Sequence, residues 1–403
     1  MIRLGKTSSR AFRLAICLLA LGGGSCLGAK TYQPIFGDPM LEPWRWRTFP
    51  ELSGLGAECV AEGDDGTMWF GTSDGVWSYD GLQWVSHSST EVQGSGIVTI
   101  CRGKAGTMYV AGSWGISEFS SGHWTRLWTT FGRGLGEVRK LTTARDGSLW
   151  AATSSGVLHR QKSGWTLYTD AEVANQLRTN ASDSQVTIEV LPESVINKRR
   201  TNALATVRHD LAEICADRAG RIWLGTAGGE ILCFDPSTNA TASNAVAIGT
   251  AVRWTIYNES DGMVCGRSPS ILPLQDGTIW VVYAAGSGQA NVFNGLAWRN
   301  IDLAAVGMPG DCSYPIQTRD GAIWLSGRYV IGVLRDGTWR TYTKPEVPIP
   351  SARNFLLQTA DGVLWIGGPS TEIQRVDYQT PRWLTLQGLN FQWESPAGAQ
   401  WFL

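Results

Sequence analysis

The sequence predicts an all-β fold, a β-propeller of seven four-stranded blades. Three observations carry this: a short motif repeated along the chain, a second aromatic trailing each copy at a fixed distance, and a composition rich in Gly and Trp. Of 403 residues, 48 are Gly and 20 are Trp, with 43% hydrophobic and 17% charged. Such a chain can bury a sizeable core and is not intrinsically disordered. Glycine turns and flat aromatic side chains suit many short strands better than long helices.

At the amino terminus, Arg3, Lys6, Arg10 and Arg13 precede any acidic residue, residues 14–21 form an apolar run, and residues 22–29 are small and flexible. This is the three-part layout of a secretory signal peptide over residues 1–29. The run breaks at Gly22, Gly23 and Gly24, short of the roughly 20 apolar residues that span a bilayer, which argues for cleavage near Ala29 over a retained anchor. Cys26 faintly resembles a bacterial lipoprotein site, but Gly23 stands where a large aliphatic residue is expected, so lipidation is the lesser reading. No later stretch is long and apolar enough to span a membrane. The mature chain is therefore expected in the periplasm or outside the cell, without membrane contact. Without the four leading charges, 30 Lys and Arg face 35 Asp and Glu. That balance leaves no basic patch to neutralise phosphates, and no nucleic-acid partner is expected.

Residues 30–43 read as a linker, and the repeats follow. One string recurs as Asp65-Gly66-Thr67-Met68-Trp69, Ala105-Gly106-Thr107-Met108-Tyr109, Asp146-Gly147-Ser148-Leu149-Trp150, Ala219-Gly220-Arg221-Ile222-Trp223, Asp276-Gly277-Thr278-Ile279-Trp280, Asp320-Gly321-Ala322-Ile323-Trp324 and Asp361-Gly362-Val363-Leu364-Trp365. Each copy reads as a tight turn, with Gly where the backbone needs positive φ, feeding a strand. A second aromatic trails at 15 residues (Trp84, Trp124, Trp165 and Trp339) or 18 (Trp298 and Trp383). From Trp44 the trailing tryptophans are spaced 40, 40, 41, 89, 44, 41 and 44 apart. A period of 40 to 45 with several short strands per unit is the spacing of propeller blades. Residues 44–49 read as an outer strand that closes the ring on the last blade, removing an open edge.

The interval of 89 holds one motif copy, at Trp223, with polar surpluses before it (170–211) and after it (237–251). These read as insertions in one blade. The propeller then spans 44–382 with seven blades, and eight is the alternative count. An eighth motif copy starts at Ala397-Gly398 and reaches Trp401, so 383–403 reads as the start of a further, truncated repeat.

The string Asp-Gly-x-aliphatic-Trp-x-Gly-Thr, followed by Gly and an aliphatic residue as in Asp74-Gly75-Val76, resembles the two-component-regulator propeller repeat of the periplasmic sensor region of bacterial hybrid histidine kinases. The resemblance covers roughly 44–403. It implies a second propeller, a small β-sandwich, a membrane helix and a cytoplasmic kinase beyond the visible sequence. The kinase would be on the same chain or encoded by a neighbour.

For chemistry, the repeated aromatics read as inter-blade packing because one recurs at the same strand position in every blade. The repeated Asp-Gly reads as a turn. Cys101 and Cys215 stand eight residues before the motif aromatic, where other blades have Leu272, Ile316 and Leu357, and read as small core residues. His87, His123, His159 and His209 are scattered singly and no Cys-x-x-Cys occurs, so neither a metal site, a cofactor nor a catalytic constellation is expected. What varies is the position eleven before each motif aromatic, at the start of the innermost strand. There, Glu58, Arg139, Ser313 and Asn354, with neighbouring Arg353, are the candidate ligand residues. The function expected is a non-catalytic ligand-sensing module for a small molecule or glycan. The alternatives are a propeller enzyme (a lyase or glycan hydrolase) or an exported scaffold that binds protein or glycan.

Overall fold

In a computed structural model, each repeated Asp-Gly forms a tight turn between two antiparallel strands. The turn glycines hold positive φ, for example 85° at Gly66, 89° at Gly147 and 92° at Gly362. Where aspartate precedes them, its carboxylate accepts the N–H two residues on, as in Thr67 N to Asp65 Oδ1 at 3.0 Å and Ser148 N to Asp146 Oδ1 at 2.8 Å. The aspartate is a turn residue, as its place in the motif implied.

The structure describes residues 30–31, 38–129, 137–162, 164–169, 174–175, 186–191, 211–235, 246–248, 252–349, 354–369, 372–379, 384–385, 391–394 and 400–402. These fall into two units, residues 38–379 and residues 1–37 with 380–403. The first is a seven-bladed propeller. Blade 1 consists of Cys59–Glu62, Met68–Gly71, Gly75–Tyr79 and Trp84–Ser88, each strand antiparallel to the next. The innermost strands of blades 2 to 7 are Thr99–Arg102, Val138–Thr143, Leu211–Ala216, Arg267–Pro273, Cys312–Gln317 and Phe355–Gln358. Each lies beside its neighbours around the ring, and the seventh lies beside the first. Among the described residues of this unit, helix is confined to one turn, Ser89–Val92, capped by Ser88, residues 174–175 and a few 3-10 turns.

Ring closure follows the sequence expectation. Trp46–Phe49 is the outer strand of blade 7, antiparallel to Ile373–Val376 with Trp46 opposite Val376 and Phe49 opposite Ile373. The strand begins at Trp46 because Pro43 starts a 3-10 turn over Pro43–Arg45. Arg45 fastens this turn to the end of blade 7. Its Nε donates to Glu42 Oε2 at 2.6 Å, and its Nη1 donates to the carbonyls of Asp377 (3.0 Å) and Gln379 (2.6 Å). Across the same seam, the Ala360 N–H of blade 7 donates to the Glu62 carboxylate of blade 1 at 2.7 Å.

The core lies between blades. Tyr109, Ile116 and Trp128 of blade 2 pack on Leu141, Leu149 and Leu158 of blade 3, and the other interfaces repeat the pattern. All seven motif aromatics are buried, and the Trp223 indole N–H donates to Asp217 Oδ2 at 2.9 Å. Burying a large aromatic while satisfying its one polar atom is what makes the position recur.

Two blades carry a fifth strand that the four-strand expectation did not include. Val186–Val190, inside the 170–211 insertion, runs parallel to the outer strand Gly164–Thr169 of blade 3. Val246–Ile248 pairs with the outer strand Val252–Tyr257 of blade 4. Exposed outer edges offer unpaired backbone groups, and inserted chain satisfies them. In the second unit, Lys30–Thr31 pairs with Leu384–Thr385, and Phe391–Glu394 forms an antiparallel pair with Gln400–Phe402. Trp383 lies outside the described residues.

Candidate functional site in the axial channel

An innermost strand shows alternate residues to opposite sides, and burial reports which side meets the axis. Nine residues before the motif aromatic, Ile100, Leu141, Ile214, Ile271 and Leu356 are buried. Eight before it, Cys101, Thr142, Cys215, Leu272, Ile316 and Leu357 are each half-buried. Strands walled in by blades on both sides have only the ring axis to open onto, so this layer lines an axial channel. Ten before the aromatic, one step nearer the start of the strand, a second layer includes Cys59, Lys140, Glu213 and Tyr314. Two residues of strand separate the layers, about 6.6 Å.

The upper layer carries the chemistry. Lys140 Nζ of blade 3 lies 3.3 Å from Glu213 Oε2 of blade 4. From the other side, the Tyr314 ring of blade 6 places its centroid 5.8 Å from the ammonium. The side chain of Lys140 keeps 34% of its surface open, against 10% for Glu213. Glu213 is the more fully engaged partner, because its Oε1 also accepts the N–H of Ile214 at 3.2 Å.

Local irregularities set up this meeting. Pairing to the second strand shifts between Val138 and Lys140, between Leu211 and Glu213, and between Ser313 and Ile316. Tyr314 itself takes a left-handed backbone, with φ of 49°. A bulge re-aims the side chains beside it, so the three side chains reach the axis at one level.

Burial opposes the charge on Lys140, yet the Glu213 carboxylate outweighs it and raises the ammonium pKa. Burial raises the Glu213 pKa, with the ammonium acting against it. The thiols nearby are held protonated by burial, Cys59 up to about 12 and Cys101 and Cys215 well above the ordinary thiol value. Cys101 and Cys215 pack against the inter-blade cores, as their place in the repeat suggested, with part of each left open. All six described cysteines are free.

The residues expected from sequence are distributed differently. Glu58 is exposed at the start of the blade 1 inner strand. Arg139 sits at the blade 3 bulge with Nη1 3.1 Å from Glu137 Oε2, both about half open. Ser313 and Asn354 are buried, the latter with its backbone N–H donating to Ser326 Oγ at 3.3 Å. Arg353 lies outside the described residues. Lys140, Glu213 and Tyr314 were missed by one position. The available signal was a Lys and a Glu at the same register of two successive inner strands, where a propeller needs no charge.

A serine–histidine–acid sequence occurs elsewhere. Ser78 Oγ lies 3.2 Å from His87 Nε2, and His87 Nδ1 lies 3.2 Å from Glu91 Oε1. Ser78 is only 7% exposed and His87 stacks on Trp69, so the group is blade packing with its hydroxyl covered. Among the described residues, no three His, Cys, Asp or Glu side chains are placed to hold a metal ion, and no helix is long and apolar enough to cross a membrane.

No protein-family model and no curated protein matches the chain by sequence. Solved structures do match in fold. The extracellular domain assigned to the hybrid two component system BT3049 from B. thetaiotaomicron is 15% identical at TM-score 0.60, over 83% of this chain and 41% of that one. Virginiamycin B lyase from Staphylococcus aureus is 11% identical at TM-score 0.56, over 82% and 97%. YCF48 from Cyanidioschyzon merolae is 14% identical at TM-score 0.55, over 82% and 98%. The chain thus spans about two fifths of the two-component structure. At these identities the likeness is one of fold, shared by an extracellular two-component-system domain, a lyase and a third protein, and fold alone does not set function.

Proposed function

We propose that this chain is a non-catalytic ligand-sensing propeller of a two-component signalling system, working outside the cytoplasm and taking its ligand at the axial channel. The observation that carries the reading is the Lys140–Glu213 pair beside Tyr314. A half-buried ion pair contributes little net stability, and apolar residues of similar volume commonly do as well. A ring that needs only packing has no use for it, whereas a binding site needs convergent polar groups in a concave, otherwise apolar wall. The charged and apolar layout of residues 1–29 supports export, and the likeness to an extracellular two-component domain supports the sensor class. Glu58, Arg139, Ser313, Arg353 and Asn354 remain the rim candidates, of which Glu58 and Arg139 have exposed side chains. A small molecule or glycan is the ligand class, and a kinase on the same chain or from a neighbour is the output.

The test is a thermal-shift screen of small metabolites and oligosaccharides against the wild-type protein and the variants Lys140→Met, Glu58→Ala and Arg139→Ala. A ligand that raises the wild-type Tm should lose most of that shift with Lys140→Met, and part of it with a rim variant if it reaches the mouth. A ligand that shifts all four proteins equally places the site elsewhere. Turnover of a glycan or lactone by the purified protein would favour an enzyme instead.

A further inference from the structure

The two layers of the channel differ in character, and together they specify a ligand class. In the upper layer the most open hydrogen-bonding group next to the ion pair is a donor. The Lys140 ammonium has three N–H bonds and one carboxylate partner, and 34% of the side chain is open. The carboxylate that neutralises it is 10% exposed and already accepts from both Lys140 and the Ile214 N–H. The nearby Cys59 thiol is protonated and its S–H already donates to the Ile97 carbonyl at 3.7 Å. An incoming group that accepts hydrogen bonds is served by the ammonium.

The lower layer is mostly apolar, with Thr142 the one hydroxyl among its half-buried residues. Leu272, Ile316 and Leu357 are half-buried against the inter-blade cores and face the axis on one side of the ring, and the protonated Cys101 and Cys215 stand on the other. A mostly apolar layer two strand residues, about 6.6 Å of backbone, from the layer of the ammonium matches an acid with its head up and its hydrocarbon down. The geometry points to a small amphiphilic monocarboxylate, its carboxylate on Lys140 beside the Tyr314 ring and its hydrocarbon against Leu272, Ile316 and Leu357. This rests on the channel being the ligand site.

The experiment is calorimetric titration of the purified protein with sodium butanoate, hexanoate and octanoate, with octylamine and octanol as controls. Affinity should rise about three- to fourfold for each methylene buried, and neither control should reach the octanoate value. Lys140→Met should weaken octanoate about ten- to a hundredfold, the range for losing a hydrogen bond to a charged group. Lys140→Arg should retain most of the affinity. Leu357→Asn should flatten the chain-length dependence. The chain-length series uses wild-type protein alone, so a variant that fails to fold does not void the test. No binding of any acid, or binding without chain-length dependence, overturns the ligand class. If in that case a ligand from the screen is still lost with Lys140→Met, the channel reading survives without it. Octanoate held equally by wild type and a folded Lys140→Met overturns both.

Discussion

His159 lies flat against Trp150, ring centroids 3.7 Å apart with planes 12° from parallel, and is buried. Burial lowers its pKa from 6.5 to about 4, with the Asp146 carboxylate opposing. A histidine that stays neutral in the fold favours the native state above its unfolded pKa, and that contribution is lost as protons bind the unfolded chain more readily. Unfolding free energy should therefore fall between about pH 6.5 and 4, by at most about 3 kcal/mol from this residue. Denaturant unfolding of wild type and His159→Phe across that range checks it, since the variant should lack this part of the slope. Equal slopes in the two proteins would mean that the ring is solvated. At this scale the sequence was partly legible. The motif aromatics were readable because one position recurs with one job. The channel residues were not, because Lys140, Glu213 and Tyr314 reach the axis through bulges that no residue type announces.

Among the elements, the seam between the first strand and the last blade carries the most distinct claim. Arg45 and Glu42 are almost fully enclosed, at 0% and 2% side-chain exposure, and Arg45 also holds two carbonyls at the end of blade 7. Removing one partner of a buried pair leaves an uncompensated charge and costs about 3–5 kcal/mol. Arg45→Ala should lose about that much in urea unfolding, and limited proteolysis should then cut first near residues 38–49. The double variant Glu42→Leu with Arg45→Met should be milder, since no charge is stranded. A loss below about 1 kcal/mol in the single variant would show the pair to be hydrated. This closure was legible in the sequence, because an unmatched outer strand at one end needs a partner at the other. The fifth strands were less so. Val186-Thr187-Ile188-Glu189-Val190 alternates as an edge strand does, but it lies inside a polar insertion whose pairing depends on an outer edge far from any repeat.

For the whole molecule, the near-constant spacing of the repeats determines the ring, and the ring determines where a ligand can go. Each blade contributes one short innermost strand, and no blade alone makes a concave surface. Lys140, Glu213 and Tyr314 come from blades 3, 4 and 6 and meet only because the ring closes. The fold was therefore readable from periodicity, whereas the site is a property of closure and of the register of seven strands taken together. The most direct measurement is a crystal structure of the protein with the ligand that stabilises it most in the thermal-shift screen. The ligand is expected on the axis, with an acceptor atom within hydrogen-bonding distance of Lys140 Nζ and its apolar part beside Leu357. A ligand bound on the outer strands or in the 170–211 insertion, with Lys140 and Glu213 still paired and solvent in the channel, would contradict the channel as the binding site.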